Sequence, residues 1–390
     1  MVLADWVHAR AAAPDPAAEA PVLSGHTMLT DPVRFRRAGE AYFSPDMTRV
    51  IFQATERDEP EGAPYAMYAG DLSRNADGSF APLTNIVRLS APGSANTCGW
   101  WHPTWPGVVL FGTTTVPPAA DEGGAGYQRG SGRYRWDFPR EMEIVWGAVP
   151  IAGGAVDPAS FSALFTEDGY DAEASWSPDG RHVLYTHVAA SGERAGDGDL
   201  WILDTLDGSR RVLVAQPGYD GGPFFSPDGT RICYRSDRRG DNLLAVYAAD
   251  LVRDERGSIV RIDNEVRLTF GEHVAWAPYF TSDGATLVFS SSQAGHDNYE
   301  LFAVRSTLPR DSSEPSSVRV THAAGFDGLG VVAPDGRHLM WTSQRGPKVE
   351  GEQRPSSQLW IARFDAGALA GALDAADAER ALRERSRPAN

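Results

Sequence analysis

Cysteine is nearly absent. Cys98 and Cys233 are the two in 390 residues, and they lack the paired spacing of a zinc site. A disulfide framework is excluded, so the fold needs no oxidising compartment. Positive charge is also short, since 36 Lys and Arg face 52 Asp and Glu for a net charge of −16. That balance disfavours nonspecific binding to nucleic acid phosphates or an anionic membrane. Cations, basic proteins and neutral sugars are more natural partners. No run approaches the length of a membrane span. The N-terminus has no basic start or continuous apolar core of a signal peptide, because Asp5, His8, Arg10 and Asp15 interrupt each run. As written the chain reads as cytoplasmic; as the trimmed form of an exported protein it would be periplasmic or secreted. There is no Gly-x-Ser-x-Gly elbow, no room for a hydrolase domain and no phosphate-cradling loop.

What the chain has in quantity is strand and turn chemistry. Eleven tryptophans and twelve tyrosines favour strands. The organising stretch runs from Gly218 to Leu251, where Phe224-Phe225 leads into Ser226-Pro227-Asp228-Gly229. Pro presets φ, Asp tolerates the third place and Gly takes the left-handed fourth, so this tetrapeptide is a hairpin turn. Arg231 to Arg235 returns as a strand, and Leu243 to Ala248 is a third. The same grammar recurs at Ser44-Pro45-Asp46, Ser177-Pro178-Asp179-Gly180, Thr281-Ser282-Asp283-Gly284 and Ala333-Pro334-Asp335-Gly336, with a divergent copy at Trp100-Trp101-His102-Pro103.

Six units of about 50 residues, each with four short strands, predict an all-β, six-bladed β-propeller. It should occupy 31–364, after an Ala/Pro-rich arm (1–30) and before a short C-terminal helix and tail (365–390). The last unit lacks its fourth strand. Val33-Arg34-Phe35-Arg36 matches the terminal runs Val266-Arg267-Leu268-Thr269 and Val318-Arg319-Val320-Thr321. This N-terminal orphan is therefore expected to complete the last blade, removing a sheet edge.

The stretches FSPDGTRICYRSDRRGDNLLAVYAADL, WSPDGRHVLYTH and APDGRHLMWTSQR resemble the TolB-like (WD40-like) propeller repeats, over about residues 33–363. The resemblance implies a TolB-type propeller. It implies less about activity, because such repeats serve scaffolds, peptidase caps and sugar lyases. TolB's signal peptide and separate N-terminal α/β domain are not visible, so an envelope-scaffold role is not implied.

Propeller topology puts the Ser-Pro-Asp-Gly turns on one face and the long loops 54–64, 116–141, 188–198 and 344–357 on the other, where binding usually lives. Residues entering the first strands would crowd acids around the channel mouth: Glu40, Asp171, Glu173, Asp220 and Asp327, with Glu272-His273. Tyr170-Asp171, Tyr219-Asp220 and Phe326-Asp327 repeat an aromatic-then-acid pattern. Three readings stay open. Each Asp caps its own blade loop; or Glu40, Asp171, Glu173, Asp220 and Asp327 hold calcium or another divalent cation; or Glu173 and His273 form an acid/base pair. In the 116–140 insertion, Tyr127, Arg129, Arg133, Tyr134, Arg135 and Trp136 make a basic-aromatic patch. It suits a ligand surface, joined by His187 and Arg235, or a lid folded over the acids. The leading functional expectation is a non-catalytic propeller that binds a protein segment or glycan on its loop face, over a channel cation. The alternative is a metal-dependent carbohydrate lyase or hydrolase at the mouth. A third reading is a structural partner held through the apolar stripe Leu369, Leu373 and Ala376 of the C-terminal helix.

Overall fold

The computed structural model describes residues 15–118, 126–128, 133–135, 139–150, 154–193, 196–308 and 314–386. Six four-stranded antiparallel sheets form the blades. Their inner strands are Phe35–Phe43, Asn96–Trp101, Gly169–Trp176, Asp220–Phe225, Ala275–Phe280 and Asp327–Val332. Within each of the first five blades, successive strands are neighbours from the inside out. No helix among the described residues is long and apolar enough to cross a membrane.

The turn chemistry sets the first hairpin of most blades. In blade 4 the Ser226 hydroxyl donates to Asp228 at 2.5 Å and accepts from Arg231 N at 2.9 Å. Gly229, at φ +67°, takes the left-handed place. Ser44–Asp46, Ser177–Asp179 and Thr281–Asp283 repeat the hydroxyl–carboxylate bond at 2.6, 2.5 and 2.7 Å.

The ring is closed as expected, but not by the residues expected. The fourth strand of blade 6 is Leu23–Met28, antiparallel to Gln358–Phe364, with Leu23 opposite Phe364 and Met28 opposite Trp360. Val33–Arg36 instead leads into blade 1, where Phe35 opens the inner strand opposite Glu56. The physical reason is a recurring clasp. After the outer strand, a Leu or Val bonds the third strand, and a following Ser or Thr hydroxyl accepts from it. Val246 N donates to Thr269 Oγ1 at 2.8 Å, Leu301 N to Thr321 Oγ1 at 2.8 Å and Met67 N to Ser90 Oγ at 3.0 Å. In blade 6 the same bond is Leu359 N to Thr30 Oγ1 at 2.9 Å. Leu29-Thr30 is thus the true counterpart of Leu268-Thr269, and the closing strand lies just upstream. Residues 16–28, assigned to a loose arm from composition, contain a short helix (Pro16–Glu19) and this strand.

The helix Ala366–Arg385 packs its apolar stripe inward. Leu369 and Leu373 are buried with Leu23, Leu301, Val320 and Phe364. Asp374 pairs with Arg305, Asp377 accepts from Ser316 N, and Arg380 meets Glu314 at 3.2 Å. Leu369 and Leu373 of the expected stripe are therefore consumed inside the chain, while Ala376 is half-buried and lines a cleft beside the helix.

Candidate functional site at the propeller axis

Every inner strand carries one register shift at the same level, as between Gly39 and Ala41 in blade 1 or Ala172 and Ser175 in blade 3. The extra residue is left-handed in each: Glu40 (φ 41°), Cys98 (50°), Glu173 (57°), Gly222 (58°), Ala277 (49°) and Leu329 (58°). Five of the six are not glycine, and the left-handed region costs an L-residue about 1–2 kcal/mol. Bulges of this kind re-aim side chains. Bonds between blades hold the strained backbone: Glu40 N to Thr342 Oγ1 at 3.1 Å, Gly222 N to Glu173 Oε2 at 2.5 Å, and Leu329 N to Ser290 Oγ at 2.8 Å. At Gly222 a Cβ would stand 2.4 Å from Arg235 Nη1, so a side chain there would have to displace the guanidinium.

Two residues past the bulge come Tyr42, Trp100, Phe224 and Tyr279. Tyr42 and Phe224 belong to opposite blades, yet their ring centroids are 5.7 Å apart. Trp100 and Tyr279, also opposite, are 6.2 Å apart. Trp100 completes the group at 4.8 Å from Tyr42 and 5.4 Å from Phe224. Rings from four blades therefore meet on the axis and narrow it toward the turn face.

A polar tier sits at the bulge level. Glu173 is 7% exposed, and it accepts from Tyr219 Oη at 2.6 Å, Thr186 Oγ1 at 3.1 Å and Arg235 Nη2 at 3.1 Å. Burial works against the Arg235 charge, and Glu173 and Tyr219 more than restore it. On the other side, Glu40 accepts from Cys98 Sγ at 2.8 Å and Tyr42 Oη at 3.3 Å. Burial raises the Glu40 carboxyl, against the Cys98 bond and the Arg235 charge. Burial, with the charges of Glu40 and Glu173, pushes the Cys98 thiol far up, so it stays protonated and is a poor nucleophile.

The mouth tier is built differently. Asp171 meets His187 Nδ1 at 2.9 Å, Asp220 meets Arg238 at 2.9 Å, and Asp327 meets Arg345 at 2.5 Å. Each partner comes from the acid's own blade. Arg238 and Arg345 each follow a serine by two residues and donate to it through Nε, at 2.9 and 3.0 Å. Burial pulls the His187 imidazole down, and the Asp171 hydrogen bond and charge more than reverse this. Arg345 also binds Glu19 at 2.9 Å, tying the N-terminal helix to blade 6.

Of the residues expected to share a cation, Glu40 and Glu173 stand at the bulge tier and Asp171, Asp220 and Asp327 at the mouth, each with its own donors. Among the described residues no group of three or more His, Cys, Asp or Glu is placed to hold a metal ion. Arg235 does join Glu173. His273 does not: it lines a separate cleft of about 360 Å³ beside the C-terminal helix, with Phe270, Gln293 and Arg380. Burial, Arg239 and Arg267 lower its pKa there. His187 is engaged by Asp171 and lies edge-on to Trp201 at 5.6 Å. Arg133, Tyr134 and Arg135 form one strand of a hairpin opposite Gly126–Gln128, while Arg129 and Trp136 lie outside the described residues. Sequence reading missed Tyr42, Cys98, Trp276, Arg238 and Arg345. The repeated Ser-x-Arg at Ser236–Arg238 and Ser343–Arg345 was the signal available for the last two.

Near the mouth, Glu300 is fully buried and accepts from Arg319 at 2.5 Å and Thr321 at 2.6 Å. Burial and the neighbouring Asp327 charge push it up to about 7, against those bonds. The folded protein therefore holds this proton more tightly than the unfolded chain. Its contribution is fully present below the ordinary glutamate pKa and is lost as pH rises toward about 7. Relative to Glu300→Gln, wild type should lose at most about 1.4 kcal/mol per pH unit across that window in urea titrations. A constant difference across the window would contradict the assignment.

No family model matches the sequence, and no curated protein matches it. Among solved structures, a putative TolB from Agrobacterium tumefaciens is 17% identical at a TM-score of 0.47, over 84% of this chain and 91% of that one. TolB from Acinetobacter baumannii is 14% identical at 0.47, over 85% of this chain and 64% of that one. An oligogalacturonate lyase in complex with manganese is 14% identical at 0.45, over 89% and 95%. The likeness is distant and one of fold, and the six-bladed architecture rests on the strand pairings themselves.

Proposed function

We propose that the chain is a binding propeller that receives a protein segment or a glycan on its loop-bearing face. The observation that carries this reading is the floor of the mouth. Trp276 and Phe326 are half-buried, with ring centroids 6.4 Å apart, and the Arg235 guanidinium lies 5.8 Å from the Trp276 ring. Aromatic rings beside an arginine are the usual anchors of recognition surfaces. The surrounding acids are neutralised within their own blades, so they fix the loops in place before any ligand arrives. Binding would be read by biolayer interferometry against an oligosaccharide array and a displayed peptide library. Deletion of 118–138 should leave melting unchanged, Trp276→Ala should lower it without preventing folding, and each should weaken capture at least about tenfold. Wild-type capture by both variants would overturn the reading.

The second reading is a metal-dependent carbohydrate lyase or hydrolase. It is favoured by the two axial carboxyl groups in unlike settings, Glu40 pushed toward its neutral form and Glu173 bonded to Arg235. A divalent metal, calcium included, retained stoichiometrically by the purified protein and lost in Asp171→Asn/Asp220→Asn would shift the balance to it.

A further inference from the structure

The axis above the ring cluster is not filled. Glu40, Thr97, Cys98, Trp100, Tyr279 and Leu329 come from the inner strands of four blades, at the centre of the molecule, yet each is only half-buried. Space therefore reaches down the axis to the rings. One carboxylate lies in it without a counter-charge bonded to it among the described residues. Glu40 is met by Cys98 Sγ at 2.8 Å, Tyr42 Oη at 3.3 Å and Thr97 Oγ1 at 3.4 Å, all neutral donors. Arg235 acts on Glu40 only through space, since its guanidinium is engaged by Glu173 and Tyr219 at 3.1 and 2.8 Å. Tyr42, which binds the carboxylate through its hydroxyl, is itself one of the four axial rings. An anion at the edge of an aromatic wall, in an enclosed space, is the setting that holds an organic ammonium ion.

We propose that the axial cavity takes the ammonium group of a lysine side chain on a partner segment. Glu40 is its counter-ion, and the Tyr42, Trp100 and Tyr279 rings close the shaft beneath the ammonium. The inference rests on the binding reading above and names what that face admits. A lysine is a compact charge on a slender apolar stem, so it suits a narrow shaft better than the planar fork of arginine. The net charge of −16 draws basic partners toward the molecule.

Proton linkage supplies the signature. Burial holds Glu40 toward its neutral form, so the arriving cation must displace a proton. Affinity should therefore rise with pH. The groups around the carboxylate do not imitate this, whereas His187 and Glu300 at the mouth lose protons in the same direction and are separated from Glu40 by the Glu40→Gln variant. Burial holds Cys98, Tyr42, Tyr65 and Tyr279 in their protonated forms. Across the axis, Tyr170, Tyr219 and Arg235 also stay protonated, and Glu173 keeps Arg235 and Tyr219 as partners.

The test is calorimetric titration of the full chain with n-butylammonium, at about pH 6 and about pH 8, in two buffers of different ionisation enthalpy. One site is expected, tighter at the higher pH, with net proton release on binding. Glu40→Gln should weaken binding at least about tenfold and abolish the release. The neutral isostere 1-butanol should not compete on wild type, and that control stands even if the variant fails to fold. Equal binding by Glu40→Gln, competition by 1-butanol, proton displacement by calcium but not by n-butylammonium, or no binding would each overturn the proposal. The 118–138 deletion separates the two readings. If it loses partner capture but keeps n-butylammonium, the shaft works independently of the loops. If wild type captures a partner yet ignores n-butylammonium, this inference fails alone.

Discussion

Removal of residues 1–28 should leave a propeller that cannot close and that aggregates during purification. The closing strand brings Leu23, 2% exposed, into the core shared by Trp341, Phe364, Leu369 and Leu373. Losing a buried leucine costs about 2–5 kcal/mol by itself. The same deletion removes Glu19, which is 1% exposed in its side chain and is bound by Arg345 at 2.9 Å and His26 at 2.7 Å. Burial opposes the Glu19 charge, but the His26 and Arg345 bonds and the Arg345 charge hold it down at about 2. Arg345 keeps Asp327 as its partner, so the deletion takes one of two carboxylates from that guanidinium without stranding its charge. The leucine loss alone is a large share of the stability of an ordinary domain, about 5–15 kcal/mol. The vacated edge, Gln358–Phe364, is long and apolar, which invites pairing between molecules. Size-exclusion chromatography should show large species, and a synthetic peptide of residues 15–30 added during refolding should restore monomer. A truncated chain that runs as a monomer and melts with wild type would show that closure contributes little.

The vacancy in blade 6 was readable because strands come in fours and the last unit has three. Its occupant was misread because two nearby segments competed. Val33-Arg34-Phe35-Arg36 copies the alternation of the terminal runs, whereas Leu23–Met28 contains Gly25 and His26 and follows an Ala/Pro-rich stretch. Alternation reports only that a segment can be a strand. The hydroxyl of Thr30 reports where the strand stops, because it must reach the backbone N–H of Leu359. A short polar clasp fixed by hydrogen-bond geometry was the better marker.

The site was legible by position and not by partnership. Inner-strand acids were expected at the centre, and Glu40, Glu173, Asp171, Asp220 and Asp327 are there. What the sequence does not display is the bulge, since four kinds of side chain and one glycine occupy its six positions. Backbone strain at that level is maintained by contacts between blades 39 to 302 residues apart, such as Glu40 N with Thr342. Nor does the sequence show that rings from opposite blades meet, so a channel was expected where Tyr42, Trp100, Phe224 and Tyr279 converge. Tertiary placement decides both.

Arg235→Met should be the most damaging single replacement at the axis. Arg235 and Glu173 are each 7% exposed and bind at 3.1 Å, with Tyr219 bridging them at 2.6 and 2.8 Å. A methionine fills much the same volume but leaves Glu173 as a charge with no opposite, which typically costs about 3–5 kcal/mol. Adding Glu173→Gln removes the stranded charge, and the double variant should return to within about 1–2 kcal/mol of wild type, a coupling that independent sites would not give. If the two single losses merely add, Glu173 and Arg235 do not neutralise each other, and the axis must be held by its aromatic rings.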